Sequence, residues 1–548
     1  MPSLTAGTMV ASGIAVILAQ MALSVVSVLN GMIQSDLNTS ATELTWILDA
    51  FLIPVSVLEL TFGVLGDIFG RKRLLAGGAA LMIVGGLIAF LTPGASSPHA
   101  LRVTMLIGGQ AILGIGAAAL LPTSLAMIAS GADGPGKRAH AISIWAACVA
   151  AGQLISPVGS GLMARIPHSG GPDTSWRWVF LVLAAIAAVS VIATLVLSKD
   201  SSAPEGRSLD WSGQVLIVLS LLVILFGVVQ GAEDGYGSAR IVLSFVIGLI
   251  LLAVFVAVER RRASPLIDLR LFTSRAFSIS AAITVIGMFA YLGTAYVVAV
   301  RLAAAQGYSP LKTSLAFIAM NIAGIVLFPV SSKMVQRLSP GGTLAIGMAC
   351  VTVGDFVLAA IPSTNLSIGI LVAPLVVVGI GFKLALTAIT VVAMDSVPLE
   401  KAGMASAATS MLRDLGLTLG PAIIGSITMS SAASRIASAV SSDPTLQRSL
   451  NSFYDLPSNV PPDQQASVAA AVGAVKSGPL GANGVPAAVP SPSGQMTPFN
   501  PLKPVAFHAL SDAFTVALIV CGIAAAIATM LAVILAMRRR ESMPLTLN

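Results

Sequence analysis

The chain has 548 residues, of which 56% are hydrophobic and only 10% charged. A soluble domain carries about 25% charged residues, so this composition cannot build a water-facing surface and its solvent must be lipid. The formal net charge of +7 is spread over short loops rather than along one amphipathic face, which argues against nucleic acid as a partner.

Apolar runs long enough to cross about 30 Å of hydrocarbon fall at 8–33, 43–65, 74–92, 101–129, 138–164 and 176–197. A middle pair follows at 211–231 and 239–258, then six more at 275–300, 311–332, 342–361, 366–395, 402–430 and 507–537. The first run has no basic residue before it and is too long for a signal-peptide core, so it is expected to be a retained span. The pattern predicts an all-α membrane protein of fourteen transmembrane helices in a 6 + 2 + 6 arrangement. Its parts are an N-terminal six-helix bundle (1–198), a linker helix pair (199–262) and a C-terminal six-helix bundle (263–548). The long segment 431–506, rich in Ala, Ser, Pro, Gly and Gln, is expected to be a mostly irregular external insertion with a helical piece around Gln464 to Val475. It is either a tolerated surface insertion or a substrate gate.

An even span count puts both termini on one side. Alternate loops and the C-terminus hold 18 Lys and Arg: Arg71, Lys72, Arg73, Lys137, Arg138, Lys199, Arg207, Arg260, Arg261, Arg262, Arg270, Arg275, Lys333, Arg337, Lys401, Arg538, Arg539 and Arg540. The opposite short loops hold six: Arg102, Arg165, Arg177, Arg240, Arg301 and Lys312. This asymmetry predicts a multi-pass protein of the plasma (inner) membrane with both termini cytoplasmic.

Between the second and third runs, residues 63–75 read Gly-Val-Leu-Gly-Asp-Ile-Phe-Gly-Arg-Lys-Arg-Leu-Leu. Gly63, Gly66 and Gly70 let two helix ends and a tight turn approach closely, and Asp67 can face the positive end of a neighbouring helix. Arg71, Lys72 and Arg73 hold the loop in the cytoplasm. The string resembles the loop between the second and third helices of the major facilitator superfamily, G-x-L-A-D-R-x-G-R-K-x-x-L, with Ile68 where that family usually has Arg.

Further stretches resemble the fourteen-span drug:proton antiporter (multidrug exporter) branch of that superfamily. They are Trp176-Arg177-Trp178-Val179-Phe180, Leu209-Asp210-Trp211-Ser212-Gly213, Pro265-Leu266-Ile267-Asp268-Leu269-Arg270-Leu271-Phe272, Gly307-Tyr308-Ser309-Pro310-Leu311, and Arg413-Asp414-Leu415-Gly416 with Gly420-Pro421. In span 5, Gly152-Gln153-Leu154-Ile155-Ser156-Pro157-Val158-Gly159-Ser160-Gly161 is similar to the antiporter motif G-x-x-x-G-P-x-x-G-G, which the resemblance ties to export. Small residues such as Gly152 and Gly161 permit tight helix contact there, and Pro157 can bend the span.

The chain departs from the branch at two coupling positions: Ala22 stands where span 1 usually carries Asp, and Gln110 where span 4 usually carries Arg. Other intramembrane charges are Asp49, Glu59, Asp355, Lys383, Arg413 and Asp414. Such groups are costly in lipid and by default face a partner or a wet cavity. Glu59 lies deeper in its run and is the better proton-carrier candidate. Asp49 is expected to sit one turn from the external edge, within reach of water. Lys383 is expected to pair with Asp355 on the neighbouring span, or else to bind an anionic head group. Arg413 either ties to the loop around Asp67 or meets substrate. With Gln110 and Gln153, these residues are the candidate proton and substrate cavity.

His99, His140, His168 and His508 show no metal-site spacing. Cys148, Cys350 and Cys521 all lie inside apolar runs and suggest neither disulfides nor metal. There is no phosphate-cradling loop and no nucleophile–base pair, so neither cofactor nor enzymatic activity is expected. The resemblance implies a monomeric secondary transporter exporting lipophilic or amphipathic small molecules by alternating access, with proton exchange through a non-standard acid. The competing readings are a facilitator or lipid-translocating protein without proton antiport, and a non-transporting scaffold or sensor.

Overall fold

The computed structural model describes residues 5–131, 135–166, 174–201, 210–262, 265–266, 269–326, 334, 339–394, 396–397, 402–490 and 496–541. Arg207, Lys333, Arg337 and Lys401 of the charge census, His168, Leu209, and Ile267-Asp268 lie outside these.

The first six helices are α1 (Ala6–Leu37), α2 (Ala41–Phe69), α3 (Arg71–Phe90), α4 (His99–Gly131), α5 (Pro135–Met163) and α6 (Arg177–Leu197). Local chemistry sets their ends. Thr5 caps α1, its hydroxyl accepting from the Thr8 N–H, and the helix ends where Asn38 turns left-handed at φ 53°. Ser40 and Glu43 form a capping box at the start of α2. Gly70, at φ 99°, both ends α2 and starts α3. A side chain is strained at that φ, so the tight turn between the two spans needs glycine.

The middle pair is α7 (Trp211–Asp234), capped by the Asp210 carboxylate on the Gly213 N–H, and α8 (Ala239–Glu259). The second bundle holds α9 (Arg275–Val300), continued by one π-helical turn at Arg301–Ala305, then α10 (Pro310–Val326), α11 (Pro340–Ala360), α12 (Gly369–Met394), α13 (Ala402–Ser442) and α18 (Lys503–Glu541).

The two bundles repeat one packing pattern. In the first, α3 lies against α4 and α6, α2 against α4, and α1 against α5 and α6. In the second, α11 lies against α12 and α18, α10 against α12, and α9 against α13 and α18. The tripeptide Gly-Ile-Gly marks equivalent crossings in each half. A Cβ at Gly114 would sit 2.4 Å from the Phe51 carbonyl oxygen of α2, and one at Gly116 would sit 2.6 Å from the Gly78 carbonyl oxygen of α3. At Gly379 and Gly381 the same atoms would lie 2.0 Å from Met320 O of α10 and 2.4 Å from Gly347 O of α11. Only backbone fits at these crossings, which is how membrane helices gain close contact without a hydrophobic driving force.

Thirteen helices among the described residues are long and apolar enough to span a bilayer. Of the fourteen expected spans, the one outside that set is α10, described over 17 residues, so the count of fourteen is not fully matched.

The segment between α13 and α18 corrects the expectation of an irregular insertion. It contains α14 (Pro444–Tyr454), α15 (Leu456–Asn459), α16 (Pro462–Lys476) and α17 (Pro479–Gly484). A small antiparallel ribbon follows, β1 (Ala488–Pro490) with β2 (Met496–Pro498). Leu450, Phe453, Val472, Val475, Val485 and Leu502 form its own small core. Leu446, Leu450 and Phe453 recur at helical spacing, and the prolines stand in first turns where no donor is lost. The helix expected around Gln464 to Val475 is α16.

Candidate functional site: the seam between the bundles

The bundles meet along two crossings, α2 on α13 and α5 on α10, with α7 resting against both α2 and α13. Toward the insertion end the seam is tight. A Cβ on Gly31 of α1 would lie 3.0 Å from the Ala303 carbonyl oxygen of the π-turn. Thr45 of α2 shares a 3.1 Å hydrogen bond with the Tyr296 hydroxyl of α9.

Deeper in the seam, three of the expected residues come together. Arg413 of α13 donates from Nε to Asp414 Oδ1 at 2.8 Å and from Nη2 to Oδ2 at 3.1 Å. The same Nη2 lies 3.6 Å from Glu59 Oε2 of α2. One guanidinium thus stands between two carboxylates, and one of the two belongs to the opposite bundle. Arg413 does not tie to the loop around Asp67.

A second polar chain crosses the other side. Lys383 Nζ of α12 donates to Gln153 Oε1 of α5 at 2.7 Å, and Gln153 Nε2 donates to Gln20 Oε1 of α1 at 3.1 Å. The antiporter-like stretch of α5 is what brings Gln153 there. A Cβ on Gly152 would lie 2.8 Å from Ile17 O, and the Ser156 hydroxyl donates to Met21 O at 2.6 Å, so α5 presses onto α1. Pro157 lies inside the helix, and Gly161 sits against Leu311 of α10, where a Cβ would be 2.8 Å away.

Other candidates stand apart. Asp355 of α11 accepts from the Thr294 hydroxyl of α9 at 2.8 Å, so its expected pairing with Lys383 does not occur. The two helices do touch, but Asp355 turns toward α9 and Lys383 toward α5, on different helix faces. Asp49 is fully buried rather than in reach of water, and neither carboxylate oxygen has a hydrogen-bond partner among the described residues. Gln110 is buried, its amide donating to Ile47 O of α2 at 3.5 Å.

The loop at 63–75 is held against the ends of α4 and α6. Asp67 Oδ1 accepts from Arg71 Nη2 at 2.7 Å and from Nε at 3.0 Å, and Arg71 Nη1 donates to Ala126 O of α4. The Asp200 carboxylate, after α6, accepts from the Lys72 N–H at 3.1 Å, and Lys72 Nζ donates to Leu195 O at 2.8 Å. Gly63 and Gly66 face Pro122 and Thr123 of α4 at ordinary contact distance. The Asp200 carboxylate thus sits at the start of α3, and Asp67 pairs with Arg71.

At the insertion end a cavity of about 690 Å³ opens between α1, α5, the start of α10 and the insertion, with Met32, Arg165, Tyr308, Leu311, Leu480 and Phe499 in its wall. Asn483 of α17 donates to Ala305 O at 2.9 Å, fastening the insertion onto the π-turn. Nearby, Asp36 binds Arg102 (2.9 Å), Arg177 (2.6 Å) and the Trp176 indole (2.9 Å), clamping α1, α4 and α6.

Sequence reasoning passed over Asp36, Thr45, Tyr291 and Tyr296. The tyrosines carried a signal: the chain has only five, and two fall within one apolar run. Tyr291 stacks on Phe382 with centroids 3.6 Å apart and planes at 8°.

The family model described as Major Facilitator Superfamily matches residues 12–421. The chain is 28% identical over 420 residues to multidrug resistance protein Stp of Mycobacterium tuberculosis, covering 77% of this chain and 75% of that one. It is 28% identical over 447 residues to the multidrug efflux pump LfrA of Mycolicibacterium smegmatis, with 81% of each chain covered. To the tetracenomycin C resistance and export protein of Streptomyces glaucescens it is 26% identical over 419 residues, covering 76% and 75%. Among solved structures it superposes on a bacterial homologue of the human drug peptide transporters at TM-score 0.58, with 15% identity and 98% and 99% of the chains covered. On the nucleoside transporter NupG the TM-score is 0.55, with 11% identity and 78% and 92% covered. Both superpositions speak to fold alone.

Proposed function

The chain belongs to the Major Facilitator Superfamily, and from that premise we propose that it exports lipophilic or amphipathic drug-like molecules by alternating access, coupled to protons through Glu59. It is a multi-pass membrane transporter, not an enzyme. The names of the relatives from mycobacteria and Streptomyces support export of small molecules. The two bundles are the rocking units, the pair α7–α8 links them, and the loop at 63–75 is the switch that re-forms on each cycle. The termini face the cytoplasm, and the protein acts as a monomer in the plasma (inner) membrane with substrate, protons and lipid as its partners.

One observation carries the coupling. Glu59 of one bundle and Asp414 of the other share a single guanidinium. One positive charge balances one carboxylate, so the second acid can exchange a proton as the seam opens and Arg413 is pulled from Glu59. Everted membrane vesicles with an acid-inside gradient test this. Adding drug-like substrates should release protons in the wild type and not in Glu59→Gln. Unchanged release in the variant removes Glu59 from the mechanism.

A second reading, transport without proton exchange, is favoured by the neutral residues Ala22 and Gln110 in helices α1 and α4. Substrate movement without proton release across the same panel selects it, and lipid translocation is then assayed. The side on which the termini lie is tested by cysteine labelling: Ser441→Cys should react from outside, and Ser201→Cys only after permeabilisation.

A further inference from the structure

Lys383 is unlike the other basic residue of the seam. Arg413 meets two carboxylates, whereas the Lys383 ammonium has one acceptor, the neutral oxygen of Gln153 at 2.7 Å. Gln153 offers no charge, and its own amide N–H is committed to Gln20. Among the described residues no carboxylate forms an ion pair with Lys383. An ammonium has three donors, so part of its hydrogen-bonding capacity faces into the seam. Beside it lies a buried aromatic pair: the Nζ is 5.1 Å from the centroid of the Phe382 ring, which stacks on Tyr291.

A cation inside a membrane bundle is costly unless an anion joins it, and none of the described residues supplies one. We infer that Lys383 recognises the negatively charged head group of the substrate, so that the cargo is an amphipathic organic anion, a carboxylate, sulfonate or phosphate on an apolar body. The head group meets the Lys383 ammonium, and the apolar body lies in the seam beside it. Binding inserts an anion where Lys383 of α12 reaches across to Gln153 of α5, one bundle facing the other. This inference rests on the transporter reading above.

The test separates binding from movement. Purified full-length protein in phosphatidylcholine liposomes is titrated with dansyl undecanoate, its methyl ester, and a dansyl-alkyl trimethylammonium of the same length. A charge-assisted hydrogen bond contributes about 1.5–3 kcal/mol, so the carboxylate should bind roughly 10- to 100-fold more tightly than the ester. Lys383→Gln should lose that preference while still binding the ester, which shows that the variant is folded, and Lys383→Arg should keep it. Equal binding of carboxylate and ester by the wild type, or a preference surviving in Lys383→Gln, overturns the inference. Competition by phosphatidylglycerol vesicles supports it with a lipid head group as the anion, and competition by soluble decanoate alone supports it with a free organic anion. Transport of the same probes is read separately: if none moves although the carboxylate binds selectively, the exporter reading fails and the anion site stands.

Discussion

Replacing Arg413 by Gln removes the shared charge of the seam and leaves two carboxylates facing each other. The change deletes two hydrogen bonds to Asp414, at 2.8 and 3.1 Å, and the 3.6 Å ion pair to Glu59. Breaking a buried pair by removing one partner costs about 3–5 kcal/mol. The Arg413 side chain is 29% exposed, so screening puts the loss at the lower end, about 3 kcal/mol. Glu59→Gln keeps both Arg413–Asp414 hydrogen bonds and gives up the charge at the 3.6 Å contact, about 1 kcal/mol. In the double variant a single uncompensated acid remains instead of two, so the combined loss should fall short of the sum by about 1 kcal/mol or more. Denaturant unfolding of the four proteins in one detergent, at neutral pH, measures this cycle. Additivity within about 0.5 kcal/mol, or an Arg413→Gln variant as stable as wild type, would refute the shared-charge arrangement.

Three further outcomes follow from the geometry. The charge swap Asp355→Lys with Lys383→Asp should not recover the stability lost in either single variant, because Asp355 bonds Thr294 and Lys383 bonds Gln153; rescue would show that the two pair after all. Asp49→Asn should leave thermal stability unchanged or raise it, since its buried carboxylate oxygens have no hydrogen-bond partner among the described residues; a large loss would reveal one. At the start of α14, the Thr445 hydroxyl and the Leu446 and Thr445 N–H groups hold the Asp443 carboxyl below the usual carboxylate range. A depressed folded value means the cap is in place above the unfolded value of about 3.9 and is lost as pH falls through the lower folded one. Amide-exchange protection of the first turn of α14 should therefore stay flat from about pH 5 to 8 and drop only below about pH 4, and Asp443→Ala should abolish it throughout.

The spans were legible because hydrocarbon imposes one rule, a long apolar run, and because Ser40, Glu43 and Gly70 write the ends of α2 and α3 in local chemistry. The loop at 63–75 stood out in the sequence for a like reason: its glycines, acid and basic residues are close together in the chain. What escaped were partnerships between distant segments. Nothing in the sequence near Lys383 names Gln153, and guessing Asp355 from the next span took adjacent helices to mean facing side chains. A helix offers several faces, and a rotation of one residue, about 100°, decides which neighbour is met. The grouping of Glu59, Arg413 and Asp414 was likewise hidden, although each was marked by its charge in an apolar run. The insertion misled by composition: Ala, Ser, Pro and Gly suggested an irregular chain, but its apolar residues recur at helical spacing.

Helix α13 runs unbroken for 41 residues, from the seam out into the insertion. It carries Arg413 near one end, Pro421 in its middle and the start of the insertion at the other. Proline removes one backbone donor and is the usual place for a helix to bend. The stretch from Pro421 to Ser442 is about 31 Å long at 1.5 Å per residue. Each degree of bend at Pro421 then moves the far tip by about 0.5 Å. The helix is thus a jointed lever: small angular changes beside the Arg413 charge become ångström-scale travel outside the bundle, where α17 is latched to the π-turn through Asn483. A spin label on Ser441 would register that travel as an amplified dial of the state of the seam.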